Sequence, residues 1–248
     1  MLDTIILLTG QVEQPVLAST LRAQNSQLTV HAVETSTDLA AIEQNVLARA
    51  RLVAFATPVV VPAGVLDRLG YGAYNFHPGS PEFPGWAAAQ FAVYHGATEF
   101  GATAHRMIER VDAGPIVAVE RFRIPEAIAV GELAKLAYVH LAKIFWRLAK
   151  TLATQSEPLS ELAICWSGQK STRRQYAALC DIPLGISKQE LERRIRAFGG
   201  NHFGLMPAID LHGSQFKLVP SEACELPPQA ETTAPPAGAD RAKENHAA

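Results

Sequence analysis

The stretch YNFHPGSPEFPGWAAAQFAVYHGATEFGATAHRMIERVDAGP, residues 74–115, places an amide, an imidazole and a carboxylate in one segment that glycine and proline interrupt. Asn75 and His77 are two residues apart, so their side chains point to the same side of an extended strand. Pro78 and Gly79 are expected to end that strand. We therefore expect both polar side chains to reach one ligand.

A second strand is expected over Gly101–Met107, and it leads to a loop that carries Asp112. An amide donor, an imidazole and a carboxylate together suit acyl transfer, because the donors stabilise an oxyanion and the carboxylate orients the imidazole or takes a proton. No serine or cysteine is obviously placed as a nucleophile. Direct attack by an acceptor is therefore the simpler chemistry.

The chain before this stretch alternates short apolar strands with helices, which predicts a parallel sheet with right-handed crossovers. The expected strands are 4–9, 28–33 and 51–56, and the expected helices are 15–24, 39–50 and 63–69. Ligands of such sheets bind beyond the carboxyl ends of the strands, where Asn75 and His77 are expected. The predicted fold class is α/β, with a Rossmann-like parallel sheet.

The chain after Asp112 is expected to add helices and a small α+β module. Apolar residues at helical spacing predict a long amphipathic helix over Gly131–Leu152, and a shorter helix is expected over 86–96. Two short strands, Leu162–Trp166 and Phe216–Val219, are expected to flank a helix that begins with the capping box Ser187-x-x-Glu190.

Three regions are expected: a catalytic domain over residues 1–155, a small module over 156–220 and a tail over 221–248. The tail is rich in proline and alanine and has almost no large apolar side chains, so it is predicted to be disordered.

The composition argues against several classes of partner. The chain has 22 basic and 24 acidic residues, so it has no excess of positive charge with which to attract nucleic acid. No segment is apolar for long enough to span a membrane, and the N-terminus does not read as a signal peptide. The three cysteines, Cys165, Cys180 and Cys224, suggest neither a metal cluster nor a disulfide framework. No metal is expected, and a reducing cytoplasm is the expected compartment.

The ordered motifs resemble those of the folate-dependent formyltransferases, the group of methionyl-tRNA formyltransferase, glycinamide ribonucleotide transformylase and sugar N-formyltransferases. The family pattern of Asn-x-His, a Pro-Gly loop and a distal Asp is matched by Asn75-Phe76-His77, Pro84-Gly85 and Asp112-Ala113-Gly114-Pro115. The resemblance extends upstream to Val59–Pro62 and downstream to Arg194–Phe198.

The resemblance implies N10-formyltetrahydrofolate as the formyl donor and Asn75, His77 and Asp112 as the catalytic residues. The donor is expected to lie against residues of two loops, namely Val59, Val60, Val61, Ile108, Glu109 and Asp112. Asn75 would stabilise the oxyanion, while His77 donates a second hydrogen bond or moves a proton. Asp112 would hold His77.

The expected acceptor is a small amine, such as an amino sugar or an amine metabolite, because the near-neutral charge disfavours tRNA. Gly10 is not followed by a glycine-rich phosphate loop, which argues against a phosphorylated glycinamide. The family usually has a Ser-Leu-Leu-Pro run after the His, whereas this chain has Gly79-Ser80-Pro81-Glu82. The alternatives are a formyltetrahydrofolate hydrolase, a methionyl-tRNA formyltransferase, and a folate-binding protein in which this altered loop has abolished turnover. The oligomeric state, including a possible homodimer, stays open.

Other polar and aromatic residues favour structural roles. His105 lies within a strand pattern and is expected to be a hydrogen-bonded structural residue rather than a catalytic one. Trp86 is expected to belong to the core. Three arginines are expected to lie on a solvated helix face, although one of them could serve an acceptor phosphate: Arg193, Arg194 and Arg196.

Overall fold

The computed structural model of this 248-residue chain describes residues 2–167 and 169–219. The predicted tail 221–248 and Cys224 lie outside the described residues.

Six strands form a central sheet in the order β2-β1-β3-β4-β5-β6. They are β1 (Thr4–Leu8), β2 (Thr29–Val33), β3 (Ala50–Phe55), β4 (Ala73–His77), β5 (Glu99–Arg106) and β6 (Ile116–Arg123). The first four pair in parallel, whereas β5 and β6 run antiparallel at one edge. The predicted Rossmann-like α/β class is confirmed, and β6 is a strand that the sequence analysis missed.

Eight α-helices are described in the same ranges. They are α1 (Gln14–Gln24), α2 (Ser36–Ala40), α3 (Gln44–Leu47), α4 (Ala63–Leu66), α5 (Ala88–Tyr94), α6 (Val130–Thr154), α7 (Arg173–Cys180) and α8 (Lys188–Phe198). The prediction of one helix over 39–50 was wrong. Thr35 and Asp38 form a capping box that starts α2 before residue 39, and α3 is a separate single turn.

Apolar cores cover both faces of the sheet, which explains why the parallel strands are continuously apolar. On one face Phe55, Tyr74 and Phe76 pack with α1 and α6. On the other face, Leu52 and Ala54 pack among residues of the segments α2 to α4. Side chains alternate along β4, so its polar residues lie on the second face.

The long helix α6 confirms the amphipathic prediction, and a buried arginine caps its C-terminal end. Arg51 has no exposed surface. Its guanidinium donates to the carbonyl oxygens of Thr151 and Leu152, and to those of Tyr71 and Glu157. Burial lowers the pKa of Arg51. A cation at this position donates to the last carbonyls of the helix, of which Thr151 O also accepts from Gln155 N–H.

The chain beyond α6 differs from the prediction in detail. The prediction of a strand over Leu162–Trp166 was wrong, because the segment is irregular and touches the edge of β6 through Leu162 N–H and Ile116 O, 2.7 Å apart. The strand expected over 216–219 is β8 (Ser214–Lys217), which pairs antiparallel with β7 (Ala208–Leu211). These elements and α7 and α8 give the predicted small α+β part.

The N-terminus of α8 carries half of the predicted capping box. Ser187 Oγ accepts from Glu190 N–H at 3.2 Å. The Glu190 carboxylate instead accepts from Tyr94 and from two arginines of its own helix, Arg193 and Arg194. These contacts tie α8 to α5.

Residues up to Leu218 form one compact unit. The division at residue 155 stays a prediction. Across the described ranges, no helix is both long and apolar enough to cross a membrane.

Candidate active site

Strand β4 presents Asn75 and His77 on the same face of the sheet, as their spacing predicted. His77 is 7% exposed. Its Nε2 lies 3.1 Å from the carbonyl oxygen of Phe83, so the loop after β4 folds back over the ring. His77 is therefore enclosed between its own strand and the Pro-Gly loop.

His105 lies beside Asn75, because the antiparallel register of β4 and β5 pairs these two residues. Its Nδ1 lies 3.0 Å from the carbonyl oxygen of Arg106, an arrangement in which the nitrogen donates. Its Nε2 lies 3.2 Å from Asn75 Nδ2 and 3.2 Å from Asp112 Oδ1. His105, which is predicted to be a structural residue, therefore contacts two members of the predicted catalytic group, Asn75 and Asp112.

Asp112 is the centre of this cluster. Its backbone φ is +48°, a left-handed conformation that Asp tolerates better than most residues. Its Oδ2 accepts from the backbone N–H of Gly85 at 2.8 Å, and its Oδ1 lies 3.4 Å from Asn75 Nδ2. His77 Nδ1 is 3.7 Å from Oδ2, an ion-pair distance rather than a hydrogen bond. The carboxylate is thus held mainly by His105 and Gly85, and the expected contact with His77 is looser.

The electrostatics of Asp112 favour its ionised form. Burial alone would raise the pKa of this carboxyl group, but the nearby His77 and His105 and the Gly85 N–H together bring it well below its usual range. Asp112 therefore stays a carboxylate, able to accept hydrogen bonds and to stabilise positive charge on either ring.

The Pro-Gly loop is fixed by a residue far along the chain. Ser171 N–H donates to Pro84 O at 3.0 Å, and Ser171 O accepts from Trp86 N–H at 3.0 Å. The Ser171 hydroxyl lies 2.6 Å from Trp86 O and 3.1 Å from Pro84 O. Gly85 has φ +94°, and a Cβ there would lie 2.3 Å from Ser171 O, so only glycine fits. The contacts of Ser171 with Pro84 and Trp86 thus orient the Gly85 N–H toward Asp112.

A cavity of about 400 Å³ opens at the cluster, and we name it the cluster cavity. All residues predicted for the donor line it, together with Asn75, His77 and His105: Val59, Val60, Val61, Ile108, Glu109 and Asp112. The structure therefore brings the two predicted loops and the predicted catalytic residues to one place. Their roles toward a ligand stay predictions.

The cluster cavity also has walls that the sequence analysis did not assign. Lys170 and Arg173 line it, as does Trp86. Trp86 is half-buried and packs against Tyr176 and Phe203, with ring centroids 5.1 and 4.3 Å apart. The predicted core role of Trp86 is thus combined with a place at the cavity.

The arginines of α8 are engaged elsewhere. Arg193 and Arg194 pair with Glu190, and Arg194 also donates to the carbonyl oxygens of Leu179 and Asp181.

For a metal, residues 2–167 and 169–219 offer no group of three His, Cys, Asp or Glu side chains that could hold one ion.

Comparison with known proteins gives a consistent picture. A family model, Formyl transferase, matches residues 11–138, about half of the chain. The methionyl-tRNA formyltransferase of Thermosynechococcus vestitus is 31% identical over 174 residues, which is 68% of this chain and 50% of that protein. The chain spans 36–58% of the length of three such relatives.

Two solved structures show the same fold. A sugar N-formyltransferase from Shewanella sp. FDAARGOS_354 has a TM-score of 0.70 at 14% identity, covering 88% of this chain and 97% of that one. An N-formyltransferase from Helicobacter canadensis, in complex with folinic acid and dTDP-3-aminofucose, has a TM-score of 0.62 at 13% identity, covering 86% and 85%.

Proposed function

Because the chain belongs to the formyl transferase family, we propose that it transfers a formyl group from N10-formyltetrahydrofolate to the amine of a small molecule. The observation that carries the proposal is the cluster of Asn75, His77, His105 and Asp112 in the wall of the cluster cavity. These groups match the needs of direct acyl transfer, in which charge develops on one oxygen and a proton moves.

The cluster cavity suits a flat heterocyclic donor. Its volume lies within the usual range for small-molecule sites. The apolar wall from Val59 to Val61 offers a surface for a ring. Among the described hydrogen bonds, none is made by the backbone N–H groups of Val60, Val61 or residues 108–111, so these groups are available to a ligand's polar edge. The Helicobacter canadensis relative with folinic acid supports a formyl-folate donor.

N10-formyltetrahydrofolate would supply a formyl group activated by its attachment to N10. Asn75 Nδ2 carries two N–H groups. One points to the Asp112–His105 side of the cluster, so the other is available to the formyl oxygen as it gains negative charge. Loss of one such donor typically costs on the order of 10²-fold to 10³-fold in rate.

The two imidazoles provide the route for a proton. A bond forms between the acceptor nitrogen and the formyl carbon, the bond from that carbon to N10 breaks, and the acceptor's proton ends on N10. His77 is the candidate for this transfer, while Asp112 stabilises the positive charge on its ring from 3.7 Å. His105 Nε2, 3.2 Å from Asp112, holds the carboxylate in place.

Several features support a small, anionic acceptor. Lys170, Arg173 and Arg110 line the cluster cavity, and no described carboxylate lies within ion-pair distance of them. They could bind a phosphate that is attached to an amino sugar, as in the dTDP-3-aminofucose of the Helicobacter canadensis relative. The net charge of −2 argues against a polyanion as large as tRNA. Methionyl-tRNA is nevertheless the second candidate, because the sequence relatives are methionyl-tRNA formyltransferases.

The test is a formylation assay with N10-formyltetrahydrofolate. Purified protein is offered nucleotide-linked amino sugars, free amines, methionyl-tRNA or water alone, and products are measured by mass spectrometry. Formylation of a small amine, with kcat lowered by about 10²-fold or more in Asn75→Ala and His77→Ala, is the expected result. Asn45→Ala, on the exposed surface of α3, is the control.

Three outcomes would contradict the proposal. Efficient, salt-sensitive formylation of methionyl-tRNA, with no formylation of a small amine, would show that the acceptor is methionyl-tRNA. Formate release that no amine alters would identify a hydrolase. Tight folate binding with no turnover would leave a binding protein.

A further inference from the structure

The ring of Trp166 packs against the catalytic cluster from the segment that follows α6. Its centroid lies 5.0 Å from that of His105 at an interplanar angle of 90°, and 6.0 Å from that of His77 at 65°. Its indole N–H donates to Gly114 O at 2.8 Å, two residues after Asp112. One side chain thus touches both imidazoles and holds the loop that carries the carboxylate.

Trp166 also lies between two cavities. The two histidines line the cluster cavity, whereas Trp166 lines a second cavity of about 650 Å³, together with Cys165 and Ile164. Asp112 lines both. The second cavity is open to solvent, since Cys165 and Ile164 are exposed. The indole ring is therefore part of the wall between the histidines and this solvent-open cavity, together with the residues that line both cavities, which include Glu109, Val111 and Lys170.

We propose that Trp166 is a positioning residue. It holds the two imidazoles and the Asp112 loop in their positions relative to one another, and it excludes water from the formyl group during transfer. The inference rests on the proposed function and adds a residue outside the part of the chain that the family model matches, 11–138. Closed sites suppress the reaction of activated groups with water.

The reaction that Trp166 prevents is hydrolysis of the donor. A water oxygen forms a bond to the formyl carbon, the bond to N10 breaks, and a proton from the water passes to N10. The products are formate and tetrahydrofolate, and no other reactant is needed. Without the indole, water from the second cavity can reach the cluster and compete with the acceptor amine.

The experiment compares Trp166→Ala and Trp166→Phe with the wild type in the presence of an acceptor that the wild type formylates. For Trp166→Ala we expect kcat for transfer to fall by about 100-fold, because a displaced catalytic group costs about that much. The KM for the donor should stay within about threefold, because Trp166 does not line the cluster cavity. The ratio of formate to formylated product should rise at least about 10-fold.

Trp166→Phe retains a ring against the histidines and removes the hydrogen bond to Gly114. Its kcat should fall by about 10-fold or less, the usual worth of one hydrogen bond. Its product ratio should lie between those of the wild type and Trp166→Ala. Trp146→Phe is the matched control, because Trp146 is 56% exposed on α6, and it should match the wild type.

An unchanged product ratio in a folded Trp166→Ala protein would overturn the inference. If Trp166→Ala does not fold, Trp166→Phe provides the test. The inference would then be overturned by a Trp166→Phe protein whose kcat and ratio of formate to formylated product both equal those of the wild type. A wild type that formylates no acceptor would refute the proposed function instead, so the two failures are distinguishable.

Discussion

Replacing Asp112 by asparagine removes one negative charge from the cluster and keeps the shape of the side chain. The amide oxygen can still accept from the Gly85 N–H, which lies 2.8 Å from Oδ2 in the wild type. The amide nitrogen then takes the place of Oδ1, 3.2 Å from His105 Nε2. That imidazole nitrogen must then accept a hydrogen bond from the amide instead of donating one to a carboxylate.

The expected loss follows from the distances. His77 Nδ1 lies 3.7 Å and His105 Nε2 3.2 Å from the carboxylate. At an effective dielectric constant of about 20, unit charges 4 Å apart attract by about 4 kcal/mol. If positive charge develops on His77 as the acceptor loses its proton, Asp112→Asn forfeits stabilisation of this size. Since 1.36 kcal/mol corresponds to tenfold in rate, kcat should fall by about 10³-fold.

The assay is steady-state formyl transfer to the acceptor that the wild type uses, with donor KM and kcat measured separately. Because the carboxylate acts mainly on charge that forms during the reaction, the main loss should be in kcat; Asp112 also lines the cluster cavity, so the donor KM should rise, but by less than kcat falls. Asp67→Asn, an exposed carboxylate at the end of α4, is the matched control. A folded Asp112→Asn protein with kcat within about fivefold of the wild type would refute this reasoning, since general acid–base catalysis is worth far more.

Two further predictions concern stability. Arg51→Ala should lower the free energy of unfolding by about 3 kcal/mol, because it leaves one buried and two partly buried carbonyls without their donor. Thermal melts check this against exposed Arg49→Ala, and an equal effect of the two substitutions would contradict it. Contacts with Arg194, Tyr94 and Arg193 lower the pKa of Glu190 to about 2. The ionised carboxylate therefore stabilises the folded protein at pH values above the unfolded pKa of about 4.3. That stabilisation is lost as the pH falls from about 4.3 toward 2. The melting temperature of Glu190→Gln should therefore lie below that of the wild type at pH 7 and approach it at pH 3. A difference in melting temperature that grows as the pH falls would contradict this prediction.

The sequence predicted the sheet well because its evidence is local. Continuous apolar runs such as Thr4–Leu8 are required where a parallel strand is buried on both faces, and the structure buries that run completely. The two-residue spacing of Asn75 and His77 determines that their side chains share a face. Neither inference depends on any distant part of the chain.

Among the elements that were not predicted, β6 and α7 have local signals in the sequence. The residues Glu120–Arg123 alternate between half-buried and exposed, as in an edge strand with one solvated face, whereas the first three residues of β6 are all buried. Thr172 and Gln175 form a capping box that starts α7.

The contacts around Asp112 could not be predicted in the same way, because they depend on how distant segments meet. His105 touches Asn75 only because of the register between β4 and β5, and residue alternation fixes the face of a strand but not its register. The Gly85 N–H is aimed by Ser171, which is 86 residues later in the chain. No local rule connects those two residues.

This difference bears on where acceptor choice is decided. The groups proposed to handle the formyl transfer, from Asn75 to Asp112, lie within the part of the chain that the family model matches. The groups that brace and enclose them, Trp166 and Ser171, come later, on an irregular segment that tolerates change more readily than a buried sheet does. Changes in this segment away from Trp166 and Ser171 leave the strands that hold the amide and the imidazoles in place, whereas changes at those two residues act on the cluster itself. We therefore expect substitutions in this segment, other than at Trp166 and Ser171, to change the KM of the acceptor more than the KM of the donor, and steady-state kinetics with each substrate varied in turn check this.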